Sequence, residues 1–296
     1  MVLVRLMGGM GNQLFQYAAA TGLAKKLGTE VKIDLTLLEE RPDNPHHVVR
    51  DYELHAFNIK EKFASKSEIE KFNPTPVTLP AKILSRVKRI FSQPQVYIQP
   101  NHAFDNSFWN LQNDCCIVGS FQSAKFFNGA EAELRQMYQL NNTPDEKSGL
   151  SLNKIESTNS VCLHIRRGDY VSNEHYRKMI GAKSNDYYYN ALKKIAASQN
   201  DIAAFVFSDD IEWCKQNLKF EYPVTFMDDN NCNDNHHQQF KLMSSCRHFV
   251  ISNSTFSWWA AWLGSFKNKI VIAPQTWFAD GSQQENDIVP EEWVRM

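Results

Sequence analysis

From Val161 onward, short apolar runs alternate with amphipathic stretches, and this rhythm restricts the fold more than any other feature of the 296-residue chain. Val161–Ile165, Ala203–Phe207, Val224–Met227, Phe249–Ile251 and Lys269–Ala273 read as buried strands. Asp186–Ser198, Ile211–Leu218, His236–Cys246 and Thr255–Leu263, the last stopped by Gly264, read as the helices between them. Parallel neighbours need a crossover, so strands separated by helices predict a doubly wound α/β sheet that binds ligands at the carboxyl ends of its strands. The N-terminus repeats the pattern. Val2–Leu6 is a strand, Gly8-Gly9-Met10-Gly11 a loop, and Asn12 a competent N-cap for a helix carrying Leu14, Phe15, Ala18, Ala19, Leu23 and Leu27. Gly28 is placed to end that helix, and Val31–Asp34 can follow as a second strand, completing a βαβ unit.

Between Pro42 and Phe127 the patterning is weak. A basic amphipathic stretch around Lys82, Arg86, Lys88 and Arg89 is read as a solvated helix face in preference to a membrane-approaching one. Asn141–Gly149, continuing polar to Ser160, has a linker's composition and sets the expected boundary between domains 1–150 and 151–296. The two halves are expected to face each other across a cleft.

Composition narrows the function. With 43% hydrophobic residues and a formal charge of −1, the chain is globular and carries no global bias toward nucleic acid or acidic partners, so any anion chemistry must be local. Its six cysteines form no Cys-x-x-Cys pair, which fits a reduced, cytoplasmic protein. Arg5, Asn12 and Gln13 interrupt the apolar start, which rules against a secretion signal, and no other run reaches the roughly 18 apolar residues of a membrane span. A soluble protein is expected, with peripheral contact at the inner face of the membrane left open.

Two strand ends carry the local anion chemistry. His164-Ile165-Arg166-Arg167-Gly168-Asp169-Tyr170 follows the Val161 strand and offers two guanidiniums, whose planar forks suit phosphate oxygens; the bland alternative is that the arginines merely pair with carboxylates. Ile251-Ser252-Asn253-Ser254-Thr255-Phe256-Ser257 runs from a strand into a helix, where free N–H groups and the helix dipole favour an anion; ordinary N-capping by Ser254 is the alternative. Asp209 and Asp210 end a third strand and either reach the ligand face or cap the next helix. Trp258, Trp259 and Trp262 are read as packing against the sheet, Asp228–Asn231 as a turn and not a metal site, and His236-His237 as solvated.

Taken together, these segments resemble the bacterial α-1,2-fucosyltransferases of glycosyltransferase family 11. The resemblance rests on Gly8-Gly9-Met10-Gly11-Asn12-Gln13-Leu14-Phe15-Gln16-Tyr17-Ala18, on Gly119-Ser120-Phe121-Gln122-Ser123-Ala124-Lys125-Phe126-Phe127, on His164–Tyr170, and on Leu242-Met243 through Asn253-Ser254-Thr255-Phe256-Ser257-Trp258-Trp259. It implies a GT-B architecture of two Rossmann-like domains, acceptor-binding (1–150) and then donor-binding (151–296). By the same resemblance Arg166 would hold the β-phosphate of GDP-fucose, His164 and Arg167 would support the nucleotide, and Asp169 would orient the arginines. The Ser254-Thr255-Phe256 turn would meet the phosphates from the other side, and Asn12 would touch the donor.

Gln239 stands where the family usually carries an Asp placed for guanine, so recognition of the base would lose an ionic contribution. Glu174, ten residues after His164 and next to His175, is the candidate general base by a spacing similar to that in the eukaryotic α-1,6-fucosyltransferase. An exposed Glu174 with no catalytic duty is the alternative. The implied reaction is inverting transfer of L-fucose from GDP-β-L-fucose to O2 of a terminal galactose of an oligosaccharide acceptor, without metal or other cofactor. Transfer from another GDP-sugar, or a non-catalytic glycan- or nucleotide-binding role, are the alternatives.

Overall fold

The computed structural model describes residues 1–40, 49–72, 95–141, 143–232, 235–279 and 287–296. Lys82, Arg86, Lys88 and Arg89 lie outside the described residues. The chain divides into two compact units, the first comprising 1–55 and 59–137 and the second 56–58 and 138–296.

The first unit is built on a parallel sheet of β1 (Val2–Arg5), β2 (Val31–Asp34), β3 (Gln95–Ile98) and β4 (Cys115–Val118), in the order β2-β1-β4-β3. Val2, Leu3 and Val4 are fully buried, as expected of a central parallel strand covered on both faces. The first helix spans Met10–Leu27 and begins two residues before the expected N-cap. Gly9 takes the cap position in extended backbone, its carbonyl accepting from Asn12 and Gln13 N–H. Asn12 does not cap; its side-chain oxygen accepts from Gln122 Nε2 at 3.1 Å. Gly28 ends the helix as predicted, in the left-handed region at φ 64°. Gly22 permits close packing, since a Cβ there would lie 2.7 Å from the Phe127 Cα.

The second unit carries a six-stranded, all-parallel sheet of β5 (Asn159–Ile165), β6 (Ile202–Ser208), β7 (Val224–Phe226), β8 (His248–Val250), β9 (Val271–Ala273) and β10 (Val294–Arg295), in the order β10-β9-β8-β5-β6-β7. Register pairs Ile165 with Ser208 and Leu163 with Val250, so the carboxyl ends of β6, β5 and β8 lie side by side. Helices Asn185–Ala196 and Ile211–Asn217 bury Tyr188, Leu192, Ile195 and Cys214 against Val161, Leu163, Ile165 and Val206.

Trp258, Trp259 and Trp262 are buried and pack against one another. Trp258 is fully buried, donates to the Ile288 carbonyl at 2.7 Å and contacts Trp293, while Trp259 meets Tyr138 edge-on. The polar run expected to link the domains is instead a helix, Glu146–Ser157, with Asp145 accepting from the Ser148 N–H as its N-cap. It looked like a linker because Ser148, Ser151 and Ile155 are the residues it buries, and two of those are hydroxyls. The units therefore part between Met137 and Tyr138, and position 150 falls inside a helix of the second. All six cysteines are buried and unbridged.

Candidate functional site

The carboxyl end of β5 passes through Arg166 and Arg167 into a short helix, Gly168–Ser172. Arg166 Nε and Nη2 donate to Asp169 Oδ1 at 3.2 and 2.8 Å, and Nη1 lies 3.0 Å from Asp209 Oδ2. Its side chain remains 28% exposed. A guanidinium has five N–H donors, so these three contacts fix its plane without exhausting it. Burial opposes the charge, but Asp209 and then Asp169 outweigh it and hold the group above the usual arginine range. The Arg166 guanidinium also lies 5.6 Å from the Tyr170 ring centre.

Arg167 is held differently. Its backbone N–H donates to Asp209 Oδ1 at 2.9 Å, its Nε approaches Asp210 Oδ2 at 3.3 Å, and its guanidinium stacks 3.4 Å above the Trp213 ring. Asp209 thus binds Arg166 and Arg167 together, and Asp210 caps the helix Ile211–Asn217 through the Trp213 N–H. Gly168 is required for this closeness: a Cβ there would sit 2.4 Å from Asp209 Oδ2.

Also at the end of β5, His164 Nδ1 lies 2.8 Å from Ser252 Oγ, just past the neighbouring β8, and its ring centre is 6.0 Å from that of Phe256. Burial first and the Arg166 charge second lower the imidazole pKa to about 3, so His164 is neutral throughout the physiological range. Ser254 occupies the cap position of the helix Thr255–Leu263, yet its side chain makes no cap bond. Trp258 N–H is the first to bond back, to the Ser254 carbonyl at 3.0 Å, so among the described residues the first-turn N–H groups of Thr255, Phe256 and Ser257 meet no acceptor and are placed for one from outside.

The structure therefore brings together His164, Arg166, Arg167, Asp169, Asp209, Ser254, Thr255 and Phe256. Gln239 lies half-buried on the helix His236–Ser244, whose next residue, Phe240, packs edge-on against Phe256 at 5.3 Å; its side chain makes no hydrogen bond among the described residues. Asn12 belongs to the first unit. Glu174 is not drawn into the cluster: it begins the helix Glu174–Met179, is 69% exposed and pairs with Lys178 at 2.7 Å.

Three residues with a hand in the geometry escaped sequence reasoning. Trp213 lies 46 residues from Arg167, and the β5–β6 register alone brings it close. Gly168 lies inside the His164–Tyr170 motif, but the carboxylate that demands a glycine there, Asp209, comes from just past the next strand. Asn253, 2% exposed, turns out to be a hub of hydrogen bonds. Asp228, read as part of a turn, accepts from Asn230 and Asn231 and pairs with Lys215 at 2.6 Å, all of which keep its carboxyl near pKa 2 against the opposing effect of burial.

The whole chain, residues 1–296, matches the profile of Glycosyl transferase family 11. An alpha-1,2-colitosyltransferase from Escherichia coli is 33% identical over 301 residues, covering 100% of this chain and 98% of the relative. The O-antigen biosynthesis glycosyltransferase WbnK, also from Escherichia coli, is 30% identical over 313 residues, covering 98% and 99%. Among solved structures, a mutant of Arabidopsis thaliana FUT1 in complex with GDP superposes with a TM-score of 0.51 at 12% identity, covering 98% of this chain and 72% of that one. That likeness is one of fold: α/β, with parallel sheets in two Rossmann-like units of the GT-B type.

Proposed function

This chain belongs to glycosyl transferase family 11, and from that membership we propose that it transfers L-fucose from GDP-β-L-fucose to O2 of a terminal galactose, inverting the anomeric centre to give an α-1,2 linkage. The second unit takes the donor and the first the galactoside. One observation carries the reading. Arg166, oriented by two carboxylates, and the open N-terminus of the helix Thr255–Leu263 stand at adjacent strand ends, and both are donors suited to phosphate oxygens.

Two guanidiniums meet three carboxylates here, since Asp169, Asp209 and Asp210 face Arg166 and Arg167. The site's affinity for a diphosphate therefore comes from directed N–H groups and not from surplus positive charge. As the sugar–phosphate bond breaks, negative charge grows on the leaving phosphate while the sugar gains oxocarbenium character. Donors already in place stabilise that state more than the ground state. We assign this countercharge to Arg166, Arg167 and the helix dipole, which makes a divalent metal unnecessary. No described helix is long and apolar enough to cross a membrane.

The identity to a colitosyltransferase favours one second reading, in which the donor sugar is colitose, the 3-deoxy counterpart of fucose. The test is a transfer assay in EDTA with a β-galactoside and either GDP-sugar, with the linkage read by NMR. Efficient α-1,2 transfer from GDP-fucose is expected. Turnover of GDP-colitose alone would replace the first reading with the second, and a requirement for added Mg²⁺ would overturn the metal-free assignment.

A further inference from the structure

Asn253 lies between the end of β8 and the open helix N-terminus, and it joins more of the surrounding chain than any other polar residue there. Its Nδ2 faces three carbonyl oxygens: Ile180 at 2.9 Å, Gly181 at 3.2 Å and Trp277 at 2.9 Å. Its own carbonyl accepts from the Tyr170 hydroxyl at 3.1 Å. The Asn253 Oδ1 is buried with no donor among the described residues. Rotating the amide by half a turn would set that oxygen against three carbonyls, so the orientation is fixed by its donor side.

The chain on both sides of the site is tied through this residue. Ile180 and Gly181 close the helix Glu174–Met179, Trp277 follows β9, and Ala279 N–H adds a bond to the Met179 carbonyl at 2.8 Å. Gly181 turns at φ 66°, a backbone conformation that suits glycine and carries its carbonyl to Asn253. Tyr170 in turn lies under Arg166.

Building on the nucleotide-sugar reading, we propose that Asn253 is a positioning residue for transfer, holding Arg166 through Tyr170 and holding the helix N–H groups through its own place in the loop. It touches no phosphate itself. The dependence runs from the Asn253 carbonyl to the Tyr170 hydroxyl, and from the Tyr170 ring to the guanidinium.

The test is a double-mutant cycle on the full chain, measuring kcat for GDP-sugar turnover alongside the unfolding midpoint. Tyr170→Phe keeps the ring under Arg166 and removes only the hydroxyl. It is expected to lower kcat about tenfold in the wild-type background and less than twofold in Arg166→Lys, because its effect acts through that fork. Asn253→Ser, too short to reach the three carbonyls, is expected to show the same loss of effect in the Arg166→Lys background. Equal losses in both backgrounds, or midpoints that fall while kcat per GDP-binding site stays within twofold, would overturn the proposal. If the wild type turns over no GDP-sugar, the functional reading fails separately. The same cycle read on GDP affinity by calorimetry then decides the positioning role by the same criterion.

Discussion

At the carboxyl end of β1 the loop is held by neutral amides, whereas at the carboxyl end of β5 it is held by ion pairs. Gln13, fully buried, donates from Nε2 to the Gly8 and Asp51 carbonyls, each at 2.8 Å, and accepts the Glu53 N–H at 2.9 Å. Gln16, also fully buried, bonds Met7 in both directions, at 3.0 and 3.1 Å. An amide carries donor and acceptor without charge, so it can be buried completely while it fixes backbone. In the first unit's Arg5–Asp34 pair the carboxylate is fully buried and both its oxygens are taken, by Arg5 and Thr36, while the Arg5 Nη2 is buried with no partner among the described residues. Arg166, held by two partly exposed carboxylates, is itself 28% exposed and has more N–H donors than those contacts use. Neutral bonding therefore shapes the first edge, and charged bonding equips the second to receive an anion.

The sharpest way to break this contrast is Arg166→Lys, which keeps the charge and removes the planar fork. An ammonium cannot span Asp169 and Asp209 and still offer a directed pair of donors, so kcat/KM should fall about a hundredfold or more. The unfolding midpoint should move little, because the pairs are partly exposed and such pairs add little stability. Transfer kinetics beside a thermal melt would decide it; a large drop in melting temperature with activity retained would make the charged edge architectural after all.

The reverse is expected in the first unit. Gln16→Ala leaves the Met7 N–H and C=O without their partner in a half-buried loop, which should cost about 1–2 kcal/mol of stability by urea unfolding. Activity per folded molecule should stay within about twofold. An activity loss larger than the stability loss explains would place the glycine loop among the reacting groups.

The two edges were unequally legible in the sequence. The second was readable because its charged residues sit next to each other at a strand end, and because the β5, β6 and β8 runs are apolar enough to be recognised singly. Asp169 as the orienting partner of Arg166 was implied by the family resemblance, and the i, i+3 ion pair of the structure agrees with it. Asp209 could reach the ligand face or cap a helix on sequence grounds, and its role as the clamp between Arg166 and Arg167 depends on the β5–β6 register, which no local pattern encodes. The first edge was harder. Gly9, not Asn12, caps the first helix, because a capping residue's identity matters less than where the chain leaves extended backbone. Gln13 and Gln16 look like surface residues in composition, and two of the partners that hold Gln13, Asp51 and Glu53, come from weakly patterned sequence.

Acid stability offers a finer test, because the second edge contains a titratable neutral group where the first uses amides that cannot titrate. His164 has a folded pKa of about 3, against roughly 6.5 for an unfolded imidazole. Above the unfolded value both states are neutral and the group contributes nothing to pH dependence. As the pH falls from there toward the folded value, the unfolded chain binds a proton that the folded one refuses, and stability declines at about 1.4 kcal/mol per pH unit. Urea unfolding from pH 7 to pH 4 should show that extra slope in the wild type and not in His164→Gln. Identical slopes would mean that the imidazole accepts its proton in place, and the Ser252 contact would need a charged donor in its description.

The smallest effect is expected at Glu174, and it bears on what belongs to the charged edge. Its spacing from His164 made it the candidate base, yet a group that removes a proton from an attacking hydroxyl must sit with the reacting atoms in a site that limits water. Glu174 instead spends its carboxylate on Lys178, one helical turn away, with most of its side chain exposed. A surface pair of this kind contributes little to stability, so Glu174→Gln should change both the melting temperature and kcat by less than about twofold in the activity and a degree or so in the melt. The pH–rate profile carries the decision. An acid limb that vanishes in Glu174→Gln, together with a fall in kcat of a hundredfold or more, would bring this helix into the reacting set and extend the charged edge beyond the strand ends that now define it.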